Sequence, residues 1–229
     1  MDIHGLQKLT LLDFPGRVAC TVFLAGCDFR CPFCHNSDLV LGGMAPLMDE
    51  AALLSFLEKR KGLLDGVAVT GGEPLLRPDL PALLRTIRSM GYAVKLDTNG
   101  GHPTALRAVV DEGLVDYVAM DIKSSPAGYP RAVGLPDFDL APVKESAAFL
   151  MSGAVDYEFR TTAVAELHTD ADFTAIGQWL EGAKRYFIQC FVPRDSVIQQ
   201  GLHAPTAAQL ARWADIVRPF IPTVELRGV

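Results

Sequence analysis

The segment Phe23–Val40 reads FLAGCDFRCPFCHNSDLV and carries three of the five cysteines of this 229-residue chain. Cys27, Cys31 and Cys34 follow the spacing C-x-x-x-C-x-x-C directly after an apolar run. A structural zinc site or a ferredoxin-type cluster normally takes four protein ligands, so a set of three leaves one position for another group. The segment therefore predicts a metal site with one open position, on a loop that follows a strand.

Outward from this segment, short apolar runs alternate with amphipathic helical patterns along nearly the whole chain. The pattern predicts six strands, over residues 18–25, 67–70, 92–96, 115–120, 157–163 and 186–192. A short closing strand follows within TVELRGV. Such alternation predicts an α/β fold with a parallel sheet and right-handed crossovers. The pattern leaves open a doubly wound sheet or a whole or partial barrel, and in each the site forms at the carboxyl ends of the strands.

Composition predicts a single domain over residues 1–229, with an N-terminal extension over about 1–17, because no linker-like segment divides the chain. No apolar stretch approaches the ~20 residues that span a bilayer, and no secretory signal is evident, so we expect a cytoplasmic protein. A net charge of −6 without a basic block argues against nucleic acid as a partner. The odd cysteine count favours reduced thiols used for metal chemistry over disulfides.

Two further segments place polar groups after predicted strands. In VTGGEPLL, Gly71 and Gly72 allow a ligand's ammonium to approach the backbone, and Glu73 complements its charge. In KLDTNG and YVAMDIK, Asp97 and Asp121 follow neighbouring strands, and such like charges require a cation or a hydrogen-bond donor between them.

An arginine within the apolar strand EFRTTAV is costly to bury without a partner. We therefore expect Arg160 to point at an anion in the site. A competing hypothesis for the cysteines is a zinc knuckle formed with His35. Ligands adjacent in sequence fit a tetrahedron poorly, and a domain of this size needs no metal to fold.

The C-x-x-x-C-x-aromatic-C loop and the GGE segment resemble the signature of the radical S-adenosylmethionine (SAM) superfamily. The resemblance implies a partial (β/α)6 TIM-like barrel and a 4Fe-4S cluster held by Cys27, Cys31 and Cys34, with SAM as the fourth ligand. In that family an electron from the cluster breaks the sulfonium bond and gives a 5′-deoxyadenosyl radical, so no catalytic side chain is implied beyond the cluster and SAM. The cofactor-binding residues it implies are Gly71, Gly72, Glu73, Pro74, Asp97, Asn99, Asp121, Lys123 and Arg160.

Within the superfamily, the DTNG and D-x-K segments resemble those of glycyl-radical enzyme activases. The resemblance implies a monovalent cation held by Asp97, Thr98 and Asp121, with Lys123 on the carboxylate of SAM. The chain departs from the formate-lyase activases near its sixth strand, where FIQCFVPRDS lacks their histidine. Gln189 or Arg194 are the candidates to replace it.

The opening GLQKLTLLDFPGRVACTVFLAGCDFRCPFCHN, the EFRTT strand and the terminal ELRGV look like the anaerobic ribonucleoside-triphosphate reductase activating proteins. That resemblance implies abstraction of a glycine hydrogen on a partner glycyl-radical enzyme, with a flavodoxin- or ferredoxin-type electron donor. The segment DFPG (13–16) resembles the activases' DGPG and either receives the partner or is an ordinary turn. The alternatives are a radical SAM enzyme acting on a small molecule, such as a 7-carboxy-7-deazaguanine synthase, and a cluster- or zinc-bearing binding module.

Overall fold

The computed structural model, which describes residues 1–228, contains ten strands and eight α-helices. The strands are β1 (Asp2–Ile3), β2 (Gly5–Thr10), β3 (Ala19–Leu24), β4 (Met48–Asp49), β5 (Gly66–Gly71), β6 (Ala93–Thr98), β7 (Tyr117–Asp121), β8 (Asp156–Ala163), β9 (Tyr186–Cys190) and β10 (Val224–Arg227). The helices are α1 (Ser37–Leu41), α2 (Glu50–Glu58), α3 (Leu80–Ser89), α4 (Pro103–Asp111), α5 (Tyr129–Val133), α6 (Ala141–Met151), α7 (Asp170–Trp179) and α8 (Ala207–Val217). Within this part of the chain, no helix combines the length and apolarity needed to cross a membrane.

Eight strands form the main sheet in the order β10-β9-β8-β7-β6-β5-β3-β2, and every neighbouring pair from β3 to β10 is parallel. The parallel strands follow one another in chain order, whereas the order in a doubly wound sheet reverses at a switch point. β2 ends the sheet as an antiparallel edge strand on β3. This order is that of a partial barrel, and it confirms the predicted six βα units and the closing strand, whose last residue, Val229, lies outside the described residues.

The two faces of the parallel strands have different neighbours because side chains alternate along a strand. Cys20, Val22 and Leu24 of β3 belong to the large apolar core that the helices complete. On the other face, Phe14 packs with Ala19 and Tyr117 in a separate small cluster. The outer face therefore holds most of the apolar burial, and the inner face is left for polar side chains.

Phe14 of the DFPG segment lies at the amino ends of the strands. Its ring packs against Tyr117, the first residue of β7, and a side chain on Gly66, the first residue of β5, would come within 2.9 Å of that ring. The six residues of β5 span about 17 Å. Phe14 is thus at the opposite end of the sheet from the cysteine loop, which follows the carboxyl end of β3.

Capping residues set several helix starts. Asp49 caps α2 and accepts a hydrogen bond from the amide of Ala52 at 2.8 Å. Thr169 and Thr206 form capping boxes at the starts of α7 and α8. The elements that the sequence pattern did not predict are short: α1, α5, β1, β2 and β4 span two to six residues each. Such lengths show too few periods for a recognisable pattern.

Candidate functional site

A cleft of about 230 Å³ opens at the carboxyl ends of the parallel strands. We call it the strand-end cleft. Its walls come from the cysteine loop and from the ends of β5, β6, β7, β8 and β9, as the strand pattern predicts for an α/β fold. The lining residues are Cys27, Phe29, Cys31, Phe33, Cys34, His35, Asn36, Val40, Thr70, Gly71, Gly72, Asp97, Thr98, Asn99, Asp121, Lys123, Arg160, Thr162 and Gln189.

All three clustered cysteines line the strand-end cleft, beside the buried rings of Phe29 and Phe33. Burial raises the pKa of Cys27 to about 11 and that of Cys31 to about 12, so the free thiols hold their protons. A metal must therefore displace protons when it binds, as is general for thiolate ligands. Three sulfur donors beside two buried aromatic rings form the ligand set that an iron–sulfur cluster takes, so the residues present fit that group.

His35, the fourth ligand of the zinc hypothesis, has another partner. Its Nε2 lies 2.8 Å from the carbonyl oxygen of Val192, and its ring stacks on Phe191 with 5.4 Å between the ring centres. Among the described residues, no three His, Cys, Asp or Glu side chains are arranged around a position for a single metal ion. A zinc knuckle needs such an arrangement around one ion, whereas the thiolates of a four-iron cluster would each bind a different iron.

Gly71 and Gly72 press against the chain that leads into the cysteine loop. The amide of Gly72 donates to the Leu24 carbonyl at 2.8 Å, and the amide of Glu73 donates to the Gly26 carbonyl at 2.7 Å. A Cβ atom on Gly71 would lie 2.3 Å from the oxygen of Leu24, and one on Gly72 would lie 2.0 Å from that of Gly26. Only glycine fits at either position, and the bare backbone lets a ligand approach this wall of the cleft.

Glu73 is only 1% exposed and is not a lining residue. Its carboxylate accepts hydrogen bonds from the amide of Leu75 at 3.0 Å, the hydroxyl of Thr98 at 2.9 Å and the amide of Asn99 at 2.6 Å. Burial raises the pKa of Glu73 to about 7, although these donors oppose the shift. Glu73 therefore joins the GGE and DTNG loops from behind the wall, next to the buried Pro74, and direct contact of either residue with SAM stays a prediction.

Two asparagines of the cleft hold neighbouring loops. Asn36 donates from Nδ2 to the carbonyl of Gly71 at 2.9 Å, and Asn99 donates from Nδ2 to Asp28 at 2.9 Å. Burial acts to raise the pKa of Asp28, but hydrogen bonds from His102 and Asn99 outweigh it and lower that pKa. Asn99 was predicted from its DTNG motif, whereas Asn36 follows the cysteines without a pattern that would reveal its contact.

Below these loops, Asp97, Asp121, Lys95, Lys123 and Arg160 form a charge cluster. The guanidinium of Arg160 bridges the two acids, with Nη1 3.1 Å from Asp97 and Nε 2.9 Å from Asp121. Lys123 lies 3.0 Å from Asp121, and Lys95 pairs with Asp97. Burial acts to raise the pKa of both acids, but the neighbouring cations outweigh it, so the pKa of Asp97 is lowered and that of Asp121 falls to about 2.

The prediction that a cation or a donor separates the two acids is met by Arg160. The strand register explains this: Asp121 of β7 is directly opposite Arg160 of β8, and Asp97 of β6 is opposite Ala119 of β7. Three positive and two negative side chains leave the charge cluster with one net positive charge. Such a surplus favours an anionic group of a ligand at this wall of the cleft.

The structure also separates residues that the sequence grouped. The hydroxyl of Thr98 is directed to Glu73 rather than to Asp97 or Asp121. Gln189 lines the cleft, whereas Arg194 is exposed on the following loop and is not a lining residue. Lys95 was not predicted, although its position two residues before Asp97 on a strand places both on one face.

Comparisons with known proteins agree with this geometry. A family model described as the radical SAM superfamily matches residues 21–152. A Methanocaldococcus jannaschii protein named as a glycyl-radical enzyme activating enzyme is 28% identical over 236 residues, covering 99% of this chain and 96% of the relative. The pyruvate formate-lyase-activating enzyme of Clostridium pasteurianum is 34% identical over 53% of this chain and 52% of its own. The 7-carboxy-7-deazaguanine synthase of Hyperthermus butylicus is 38% identical over 52% of this chain and 49% of its own.

The chain thus spans nearly all of the Methanocaldococcus jannaschii relative and about half of each of the other two. Among solved structures, Streptococcus suis SuiB bound to S-adenosylmethionine superposes with a TM-score of 0.67 at 12% identity, over 91% of this chain and 52% of that chain. At this identity the likeness shows the fold alone. Because the family model matches more than half of its residues, this chain belongs to the radical SAM superfamily of enzymes, which implies a 4Fe-4S cluster and SAM as cofactors.

Proposed function

We propose that this protein is a glycyl-radical enzyme activase, which removes one hydrogen atom from a glycine of a partner enzyme. The observation that carries the proposal is the similarity to the Methanocaldococcus jannaschii activating enzyme, because it extends over nearly the full length of both chains. A match confined to the cysteine loop and the first strands would indicate the superfamily without indicating its substrate.

When bound, the cluster and SAM supply the radical that takes the hydrogen atom. The residues of the chain hold and orient these groups: Cys27, Cys31 and Cys34 would bind three irons, and Gly71 with Gly72 would receive the amino end of SAM. The proposed contacts of the remaining SAM-binding residues, Glu73, Pro74, Asp97, Asn99, Asp121, Lys123 and Arg160, follow the family motifs.

The positive surplus of the charge cluster supports the proposed orientation of SAM. Lys123 and Arg160 both line the strand-end cleft, and each retains N–H groups beyond those that bind Asp121 and Asp97. A carboxylate placed beside them would gain charge-assisted hydrogen bonds in a poorly solvated pocket. The buried rings of Phe29 and Phe33 line the cleft with the cysteines and would exclude water there, which protects a radical from side reactions.

For the partner, we propose an anaerobic ribonucleoside-triphosphate reductase, and for the electron donor a flavodoxin or ferredoxin. The resemblance of the opening segment, of EFRTT and of ELRGV to the activating proteins of that reductase supports this choice. The proposal includes a single cytoplasmic domain over residues 1–229, in line with the continuous sheet that β2 and β10 end.

The test is to reconstitute the protein without oxygen and add a reductant, SAM and a candidate reductase. The expected products are 5′-deoxyadenosine and a glycyl radical signal in the electron paramagnetic resonance spectrum of the reductase. A reductase variant with alanine at the radical glycine is the control and should show no such signal. Cleavage of SAM without a radical on any candidate partner would contradict the activase proposal.

A second candidate is a radical SAM enzyme that acts on a small molecule. The identity of 38% to a 7-carboxy-7-deazaguanine synthase favours it, but that match covers only about half of each chain. The two candidates differ in their product, so incubation with small-molecule substrates instead of the reductase, assayed for 7-carboxy-7-deazaguanine, separates them. A cluster- or zinc-bearing binding module would leave SAM intact in both incubations.

A further inference from the structure

Lys95 is the deepest member of the charge cluster and has no counterpart among the predicted site residues. Its side chain is 2% exposed, compared with 16% for Asp97 and 28% for Asp121. It precedes Asp97 by two residues on β6, so both side chains lie on the inner face of the barrel, Lys95 one step further from the cleft mouth. Its hydrogen-bond partner in the described structure is Asp97.

Each carboxylate oxygen of the charge cluster already has a cationic partner from the chain itself. For Asp97, Lys95 binds Oδ1 and Arg160 binds Oδ2. For Asp121, Arg160 binds Oδ1 at 2.9 Å and Lys123 binds Oδ2 at 3.0 Å. Each of the four oxygens thus accepts a bond from a positive group.

This arrangement does not fit the monovalent cation that the activase resemblance implies at Asp97, Thr98 and Asp121. A bound cation would compete with side-chain cations for oxygens already in use, and it would add charge to a buried group that carries a positive surplus. The third implied ligand, Thr98, uses its hydroxyl to donate to Glu73 at 2.9 Å and accepts the amide of Gly100 at 3.1 Å. The ligand set for a metal cation is therefore engaged elsewhere.

We propose that Lys95 is the built-in counter-cation of Asp97 and that the SAM site of this protein operates without a bound monovalent metal ion. Lys95 acts as a positioning residue: by neutralising Asp97 from below, it leaves Arg160 bound to both acids and facing the cleft. Loss of the Lys95 charge would make the charge cluster neutral and would leave one oxygen of Asp97 without a cationic partner. A potassium or sodium ion could then bind at that oxygen.

The experiment measures SAM affinity by equilibrium dialysis with the anaerobically reconstituted protein, in potassium, sodium or choline chloride at equal ionic strength. Thermal unfolding in the same salts is the second readout. The variant is Lys95→Met, which keeps the length of the side chain without its charge. Lys144→Met, at an exposed position of α6 outside the charge cluster, is the matched control.

The wild type and Lys144→Met should bind SAM with affinities that agree within about twofold across the three salts, which is about 0.4 kcal/mol. Lys95→Met should lose about tenfold or more in choline and recover with potassium or sodium in a saturable manner. Its unfolding temperature should rise with the metal cations more than that of the wild type.

A wild-type affinity that collapses in choline would overturn the proposal, and so would a folded Lys95→Met that is as insensitive to the cation as the wild type. If Lys95→Met does not fold in any salt, the wild-type comparison and Lys95→Gln decide by the same criteria. The inference rests on the SAM site of the proposed function but not on the partner. Normal SAM binding with no glycyl radical on the reductase would contradict the proposed function and leave this inference standing.

Discussion

Replacing Gly71 by alanine should weaken the junction between the GGE loop and the strand before the cysteines. The added Cβ would lie 2.3 Å from the carbonyl oxygen of Leu24, whereas ordinary contacts begin at 3.4 Å, so the backbones must separate by about 1 Å. Gly43 is the matched control, because its φ of +116° is nearly that of Gly71 at +118° and its Cβ would meet nothing within 4 Å. The backbone strain of alanine is therefore common to both variants.

The difference between the two variants isolates the close approach. Separation of the backbones strains two hydrogen bonds, Gly72 to Leu24 and Glu73 to Gly26, each worth about 1 kcal/mol. Overpacking adds about 1–3 kcal/mol. Gly71→Ala should therefore lose about 3 kcal/mol or more of unfolding free energy beyond Gly43→Ala, measured by urea unfolding followed by circular dichroism. Equal losses in the two variants, within about 0.5 kcal/mol, would show that the close approach of Gly71 to Leu24 does not limit stability.

Three other substitutions test the site and its setting. Burial raises the pKa of Glu73 from 4.5 to about 7, so the folded chain keeps a proton that the unfolded chain releases; this stabilisation is complete below pH 4.5 and lost as pH rises through 7. Glu73→Gln should remove that part of the pH dependence of unfolding, and unchanged slopes would contradict it. Phe14→Ala should lose about 3–5 kcal/mol of unfolding free energy without changing SAM affinity. A loss of SAM affinity without a loss of stability would mean that DFPG serves the cleft. Cys31→Ala should lose the brown cluster absorption after anaerobic reconstitution, whereas Cys20→Ala should keep it, and equal iron contents would disprove the ligand assignment.

The charge cluster also gives a physical reason for the proposed orientation of SAM. Asp97 and Asp121 hold Arg160 by two hydrogen bonds from different nitrogens, so the guanidinium has one fixed orientation. A fixed donor loses little entropy when a ligand's carboxylate arrives. In the proposed orientation, the two acids would act on the carboxylate of SAM through the arginine that they hold.

Local spacing in the sequence was enough to predict the strands, most helices and the grouping of polar residues at the strand ends. Cys27, Cys31 and Cys34 lie within eight residues, and so short a segment keeps the three side chains close to one another in the cleft. The Asp49 cap of α2 and the proline at the start of α4 are likewise local signals. These features depend only on residues that are close in the sequence, so they are present in the fold as the sequence pattern indicates.

The remaining features of the site depend on contacts between strands that lie far apart in the sequence. The register of β6, β7 and β8 places Arg160 between the two acids, and the inner face of the barrel places Lys95 beneath Asp97. Packing turned Glu73 away from the cleft and put Phe14 at the far end of the sheet. No spacing within one segment encodes these positions, because each is fixed by which strands become neighbours and by the face that each side chain presents.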